Sequence, residues 1–219
     1  MALESFSALE RDSRTRHDSD VQLSYAMYLV VGILTLGIYA IYVQYKLIAR
    51  QQDHFRRMGR FAGDLVRLIA ERAKETGSAQ SSAELVEVRA LSDDFQRFQR
   101  GKERSAALWT ILSIVTLGLA MLYVLYFLNA DLVRHQRLEA DFIEKSSTLL
   151  TKLGVGKYPI EVEHVVPNRN YPVYLLLTVI TLGLFELYWV YVRIKDPNEH
   201  FKEHERFEDQ LIATIRPAT

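Results

Sequence analysis

Three apolar stretches, residues 23–47, 106–129 and 171–194, constrain this chain more than anything else in it. Each is as long as the roughly 20 apolar residues that cross a bilayer core, and each is a version of the other two. Aligning Gly37, Gly118 and Gly183 brings Thr35-Leu36, Thr116-Leu117 and Thr181-Leu182 into register before them, with Ile38, Leu119 and Leu184 after. Further along stand Tyr42, Tyr123 and Tyr188, then Tyr45, Tyr126 and Tyr191; upstream stand Tyr28, Trp109 and Tyr174. The register runs on into polar sequence, where His54, His135 and His200 coincide, then Arg56, Arg137 and Lys202, then Phe61, Phe142 and Phe207. Agreement at so many offsets identifies an internal repeat whose unit is an apolar segment plus a polar helix.

The repeats fix the organisation. Residues 1–20 are rich in charge, lack the apolar core of a signal peptide, and read as a flexible polar tail. Residues 21–75 are the first repeat, 105–154 the second and 171–219 the third. Between the first two, residues 76–104 hold a Ser/Ala/Gln-containing linker and a helical pattern of Leu85, Val88, Leu91, Phe95 and Phe98. Residues 155–170, with Pro159, Pro167 and alternating Ile160, Val162 and His164, predict an extended connector. The polar helices are amphipathic: Phe55, Met58, Ala62, Leu65, Leu68 and Ile69 share one face in the first, and Leu138, Phe142, Leu149 and Leu150 do much the same in the second. Such faces pack on neighbouring helices, or lie in the headgroup region with basic residues such as Arg56, Arg57 and Arg60 on anionic lipid.

The predicted fold class is an all-α membrane protein. Each apolar segment crosses once as a straight helix, or folds at its glycine into a re-entrant hairpin. Glycine suits the left-handed conformation just past a helix end, and basic residues flank every segment, which favours one shared cytoplasmic face. Against hairpins stand Glu186, which would lie near the deepest point, and the cost of irregular backbone in lipid. The balance tips to hairpins.

Thr35-Leu36-Gly37-Ile38-Tyr39, followed by Ile41-Tyr42-Val43-Gln44-Tyr45-Lys46, resembles the T-[LC]-G-I-Y-x-[IL]-Y-W-x-Y-[KR] segment of an uncharacterised family of small bacterial membrane proteins, a domain of unknown function that often occurs in tandem. The third copy keeps Tyr188-Trp189; the second departs at Ala120 and Phe127, and the third has Phe185. The resemblance implies a bacterial cell membrane location and adds no mechanism.

Candidate chemistry is sparse. Lys+Arg and Asp+Glu both total 27, so no overall field favours nucleic acid, and the absence of cysteine removes thiolate chemistry and Cys-based zinc sites. Gly154-Val155-Gly156-Lys157 lacks the spacing of a phosphate loop. His200-Phe201-Lys202-Glu203-His204 matches the H-x-x-E-H order of inverted zinc peptidases. The repeat itself accounts for His200, however, and little chain follows to supply a third ligand, so His200, Glu203 and His204 are set aside as a metal site and the histidines read as a surface i, i+4 pair. Glu186 is the remaining candidate, an ionisable residue in an apolar segment that either lines a pathway or pairs with Arg193. The expectation is therefore a non-enzymatic integral scaffold without cofactor. Its polar helices are cytoplasmic, its tyrosines anchor at the interface, it contacts the lipid bilayer including anionic lipids, and it forms a homo-oligomer that shapes membrane or recruits a protein partner. The alternative is a small oligomeric channel or transporter with Glu186 in the pathway.

Overall fold

The structure is a computed structural model that describes residues 2–77 and 79–215. All regular structure among these residues is helical. Each apolar segment is broken into two helices by its Thr-Leu-Gly triplet. The first repeat pairs α3 (Tyr25–Leu34) with α4 (Ile38–Thr76), the second α6 (Ala106–Val115) with α7 (Leu119–Lys152), and the third α8 (Tyr171–Ile180) with α9 (Leu184–Ile215). The flanking elements are α1 (Ala2–Arg14), α2 (Arg16–Ser19) and α5 (Ala79–Gly101).

The break has one construction in all three places. The middle leucine takes a left-handed backbone, with φ of 49° at Leu36, 51° at Leu117 and 50° at Leu182, and the glycine follows at φ of 90° or 93°. The threonine hydroxyl closes both helix ends at once. In the first copy Thr35 Oγ1 donates to Val31 O (2.7 Å) and accepts from Tyr39 N (3.0 Å). Thr116 and Thr181 repeat this with Leu112 and Ala120, and with Leu177 and Phe185. Two helix ends that would each leave backbone groups unpaired thus share one side chain. The other end of each short helix is capped at a matching offset by Ser24, Ser105 or Asn170.

The short helix then folds back on the long one. Trp109 near the start of α6 meets Tyr123 and Phe127 of α7 at ring-centroid distances of 5.2 and 5.4 Å, and Tyr174 of α8 meets Trp189 of α9 at 5.5 Å. The segments are helix–turn–helix hairpins rather than straight rods. Among the described residues no helix is long and apolar enough to cross a membrane. The second half of each apolar segment and the polar helix that follows it are one continuous helix, so the boundary expected between them does not exist in the backbone.

The three long helices pack pairwise into a parallel bundle. At the hairpin end, each short helix fills the groove between its own long helix and a neighbouring one. Thus Gln44 of α4 donates to Ser113 of α6 (2.6 Å), Tyr126 of α7 meets Tyr171 at the start of α8 (5.0 Å), and Tyr25 of α3 meets Tyr191 of α9 (5.2 Å), which closes the ring. At the distal end the three grooves are covered differently: α1 lies on α4 and α9, α5 lies on α4 and α7, and the extended connector lies between α7 and α9. The connector is held by Gln136, whose side chain bonds both backbone groups of Val166, and it buries Ile160, Val162 and Val166.

The amphipathic faces read from the sequence are the ones turned inward. Phe55, Met58, Ala62, Leu65, Leu68 and Ile69 are all buried, as are Phe142, Leu149 and Leu150. The N-terminal tail expected to be flexible is instead helical, and it docks through Leu9 and through Arg16, which pairs with Asp209 at 2.6 Å. In α9, Pro197 lacks the N–H that would satisfy Arg193 O. The buried Arg50 replaces it, its Nη2 donating to Arg193 O (3.1 Å) and Ile194 O (3.2 Å).

A turn that depends on a left-handed glycine predicts a specific sensitivity. A Cβ on Gly118 would meet no neighbouring atom, so Gly118→Val brings backbone strain without a clash. Forcing a β-branched residue to this φ costs about 1–3 kcal/mol, to be read as a lower urea midpoint with an unchanged m-value.

Candidate functional site

Two features stand out on this frame. The first is the hairpin end, where the chain exposes the apolar residues a folded domain normally hides. Leu36, Leu117 and Leu182 are 95%, 95% and 94% exposed, and they sit in the left-handed backbone that bulky residues avoid. Around them Ile33, Leu34, Ile38, Val115, Leu119, Val179, Ile180 and Leu184 are also exposed. Exposure in strained backbone, three times, is informative because the turn needs the left-handed conformation but not a leucine side chain. The repeated tyrosines of the motif, Tyr42, Tyr45, Tyr123, Tyr126 and Tyr188, form an exposed collar further down the hairpins, with Tyr191 partly covered by Tyr25.

Glu186, in the first turn of α9, is half-buried beside the first hairpin, where Tyr25 Oη donates to Leu187 O (2.9 Å). Among the described residues it makes no ion pair with Arg193, which is itself buried. Between the three long helices at this end pack Val43, Leu47, Ile48, Val124, Phe127, Leu128, Val190 and Ile194, a buried apolar cluster.

The second feature lies further along the bundle. The three repeat-equivalent histidines, His54, His135 and His200, project from three parallel helices at one height, seventeen residues past their glycines, and therefore meet. One turn later each helix offers a different residue at one shared offset: Met58, Glu139 and His204. His204 joins the ring of imidazoles and Glu139 points into it, every one of these side chains being buried. The expectation of a surface His200/His204 pair is thus corrected: the two are 1% and 0% exposed, because the face of α9 that carries them is the one turned to α4 and α7. Glu203, the third residue of that motif, turns away to pair with Arg206 and to accept from Glu163 N.

Within the cluster His54 Nε2 lies 3.1 Å from His135 Nε2, and His200 Nε2 lies 3.2 Å from His204 Nε2. The outer nitrogens of two rings face carboxylates: His54 Nδ1 lies 2.9 Å from Asp20 and His204 Nδ1 3.3 Å from Glu208. Arg57 ties these two acids together, bonding Asp20 at 2.8 Å, Glu208 at 2.7 Å and Ser19 at 3.0 Å. Phe55 stacks on His135 (4.3 Å), Phe207 lies against His204 (4.7 Å), and the repeated Phe61, Phe142 and Phe207 are all fully buried.

Burial dominates the electrostatics. It pushes His54 down, with Asp20 working against it, and pushes His135, His200 and His204 well below the usual imidazole range, aided by the neighbouring rings. It raises Glu139 well above the carboxylate range, with Glu208 adding to the effect, and lifts Glu208 to about 7 against the pull of Arg57. Asp20 is also penalised by burial, but His54 and Arg57 overcome this and hold it below its ordinary value.

Residues 169–212 match a family described as a domain of unknown function (DUF4234). The match spans the third hairpin together with His200, His204 and Glu208. No curated protein and no solved structure matches the chain.

Proposed function

We propose that this chain is a non-enzymatic membrane scaffold whose three hairpins insert as wedges into one leaflet, leaving the distal parts of the long helices, α1, α5 and the connector in the cytoplasm. The observation that carries this is the trio Leu36, Leu117 and Leu182, exposed and strained at one end of a parallel bundle. The dimensions support it. A short helix of 10 residues is about 15 Å long, half the roughly 30 Å hydrocarbon core. Tyr42, Tyr123 and Tyr188 stand five residues past the glycines and Tyr45, Tyr126 and Tyr191 eight, roughly 8 and 12 Å below the tips, the depth at which amphipathic rings settle. The turns also answer the objection to irregular backbone in lipid, because the threonine hydroxyls and the turn hydrogen bonds satisfy groups that lipid could not.

In this reading the histidine cluster, buried among the described residues, belongs to the interior of the bundle rather than to its surface. Three wedges in one leaflet expand that leaflet, so curvature is the expected consequence, and the exposed apolar flanks of the hairpins provide a route to self-association.

Since the chain has no cysteine, single cysteines at Ile33, Ile114 and Val179 can carry an environment-sensitive fluorophore. On liposomes all three labels should shift to the blue and be quenched by lipids brominated at one shallow depth. Labels that stay in water, or that report different depths, would sink the wedge reading.

A further inference from the structure

We infer that the buried imidazoles form a binding site for one divalent first-row transition-metal ion, held by the Nε2 atoms of His54, His135, His200 and His204, with the Glu139 carboxylate as an oxygen donor. This stands on a part of the chain some seventeen residues, about 25 Å of helix, from the tips, and is independent of the membrane reading.

The geometry is close to what such an ion needs. Metal–imidazole bonds of about 2.0–2.1 Å place the edges of a tetrahedron at roughly 3.3 Å. Two edges already measure 3.1 and 3.2 Å, and the four ligand nitrogens all lie within 4.8 Å of one another. Glu139 Oε2 lies 2.7 Å from His204 Nε2 and 3.9 Å from His200 Nε2, while Oε1 lies 3.6 Å from His135 Nε2.

The hydrogen bonding points the lone pairs inward. A neutral His54 that donates through Nδ1 to Asp20 has a bare Nε2, and the same holds for His204 and Glu208. A carboxylate behind the imidazole is the arrangement that orients metal-bound histidines and raises their basicity. Glu139 is the telling residue. It is 0% exposed, and among the described residues neither oxygen has a hydrogen-bond partner although Oε2 faces His204 Nε2. His135 Nδ1 is also unpartnered. Buried groups of this kind are rarely left unsatisfied, and a cation gives Glu139 and His204 Nε2 one shared partner.

Charge agrees. Asp20, Glu139 and Glu208 carry three negative charges when ionised, Arg57 carries one positive, and a divalent ion cancels the remaining two. Imidazole with one carboxylate suits zinc or ferrous iron. The ligands come from the long helices of all three repeats, so the ion acts as a staple across the bundle. It is distinct from a zinc peptidase centre, because Glu203 is turned away and the site is closed.

The test uses the full chain, purified without an affinity tag containing histidine and analysed for transition metals by mass spectrometry. It is then stripped with chelator and titrated with Co(II), Zn(II) and Fe(II). About one equivalent per chain is expected, with Co(II) giving visible ligand-field bands and a metal-dependent rise in melting temperature. Unfolding on stripping, reversed by metal, supports the site equally. His135→Phe, which keeps an aromatic ring beside Phe55, should abolish stoichiometric binding, and Asp20→Asn should weaken it about 10–100-fold. His164→Ala, at an exposed histidine, should change nothing. A stripped, folded protein that takes up none of the three metals overturns the proposal, as does binding that survives His135→Phe unchanged or is lost equally in His164→Ala.

Discussion

Arg57→Met is expected to lower the free energy of unfolding by about 3–5 kcal/mol, the range found when one partner of a buried ion pair is removed. Arg57 is 1% exposed and is the guanidinium shared by Asp20 and Glu208, which are 6% and 0% exposed at the side chain. Methionine fills much of the space but leaves both acids without their cation. Glu208 has an escape, since its carboxyl is already lifted to about 7 by burial and can take a proton, which places the effect at the lower end of the range. Asp20 does not, because His54 and Arg57 together hold it ionised. Arg57→Lys should be intermediate, keeping a charge but not the fork that bonds Asp20, Glu208 and Ser19 at once. Arg56→Met is the control. That neighbour is half-exposed and paired only with surface acids, so its loss should change stability by less than about 1 kcal/mol. Chemical denaturation of the three variants checks the ranking, and an Arg57→Met protein as stable as Arg56→Met would show that the network contributes no stability.

The same network marks where the sequence stopped being readable. The repeat was legible because its residues recur, and the hairpin was legible in outline because glycine at a fixed offset signals a helix end. In the sequence the threonine of the motif is only a marker of the repeat. That its hydroxyl serves two helices depends on the turn geometry that the leucine and glycine create. The tail does not show itself as a helix in the sequence because α1 has few apolar residues and a helix of 13 residues is marginal alone; it is held by α4 and α9, which no local pattern announces. The meeting of the histidines is hidden for a subtler reason. Recurrence of His54, His135 and His200 accounts for His200 as a repeat position, yet in a parallel bundle one offset repeated three times puts three side chains at one height around one axis. Their partners were hidden because Met58, Glu139 and His204 share an offset but not a residue type. Asp20 reaches the site from outside the repeats, and Glu208 stands where the other two copies have Ala62 and Ile143.

The hairpin tips carry the prediction with the largest effect. The triple substitution of Leu36, Leu117 and Leu182 by Glu should move the protein from the liposome pellet to the supernatant while leaving its circular dichroism and melting temperature almost unchanged. Fully burying a leucine is worth about 1.5–3 kcal/mol, so removing three such contributions weakens partitioning by roughly three orders of magnitude or more at 1.4 kcal/mol per tenfold. Each glutamate adds a further cost, because a carboxylate at the depth of the tips, in the hydrocarbon of the leaflet, is penalised or must be protonated. Fold stability is spared because these side chains, 94–95% exposed, have next to no packing to lose. Single substitutions should weaken binding in steps, since each tip is an independent wedge. The basic residues near the hairpin bases, among them Lys46, Arg104 and Lys195, offer a competing source of membrane affinity through anionic lipid. Salt separates the two: attraction to lipid charge falls as ionic strength rises, whereas burial of leucine does not. Wild-type protein should therefore stay on neutral vesicles in high salt and the triple variant should leave them. A triple variant that remained bound under those conditions would mean that the exposed leucines are not what holds this protein to lipid.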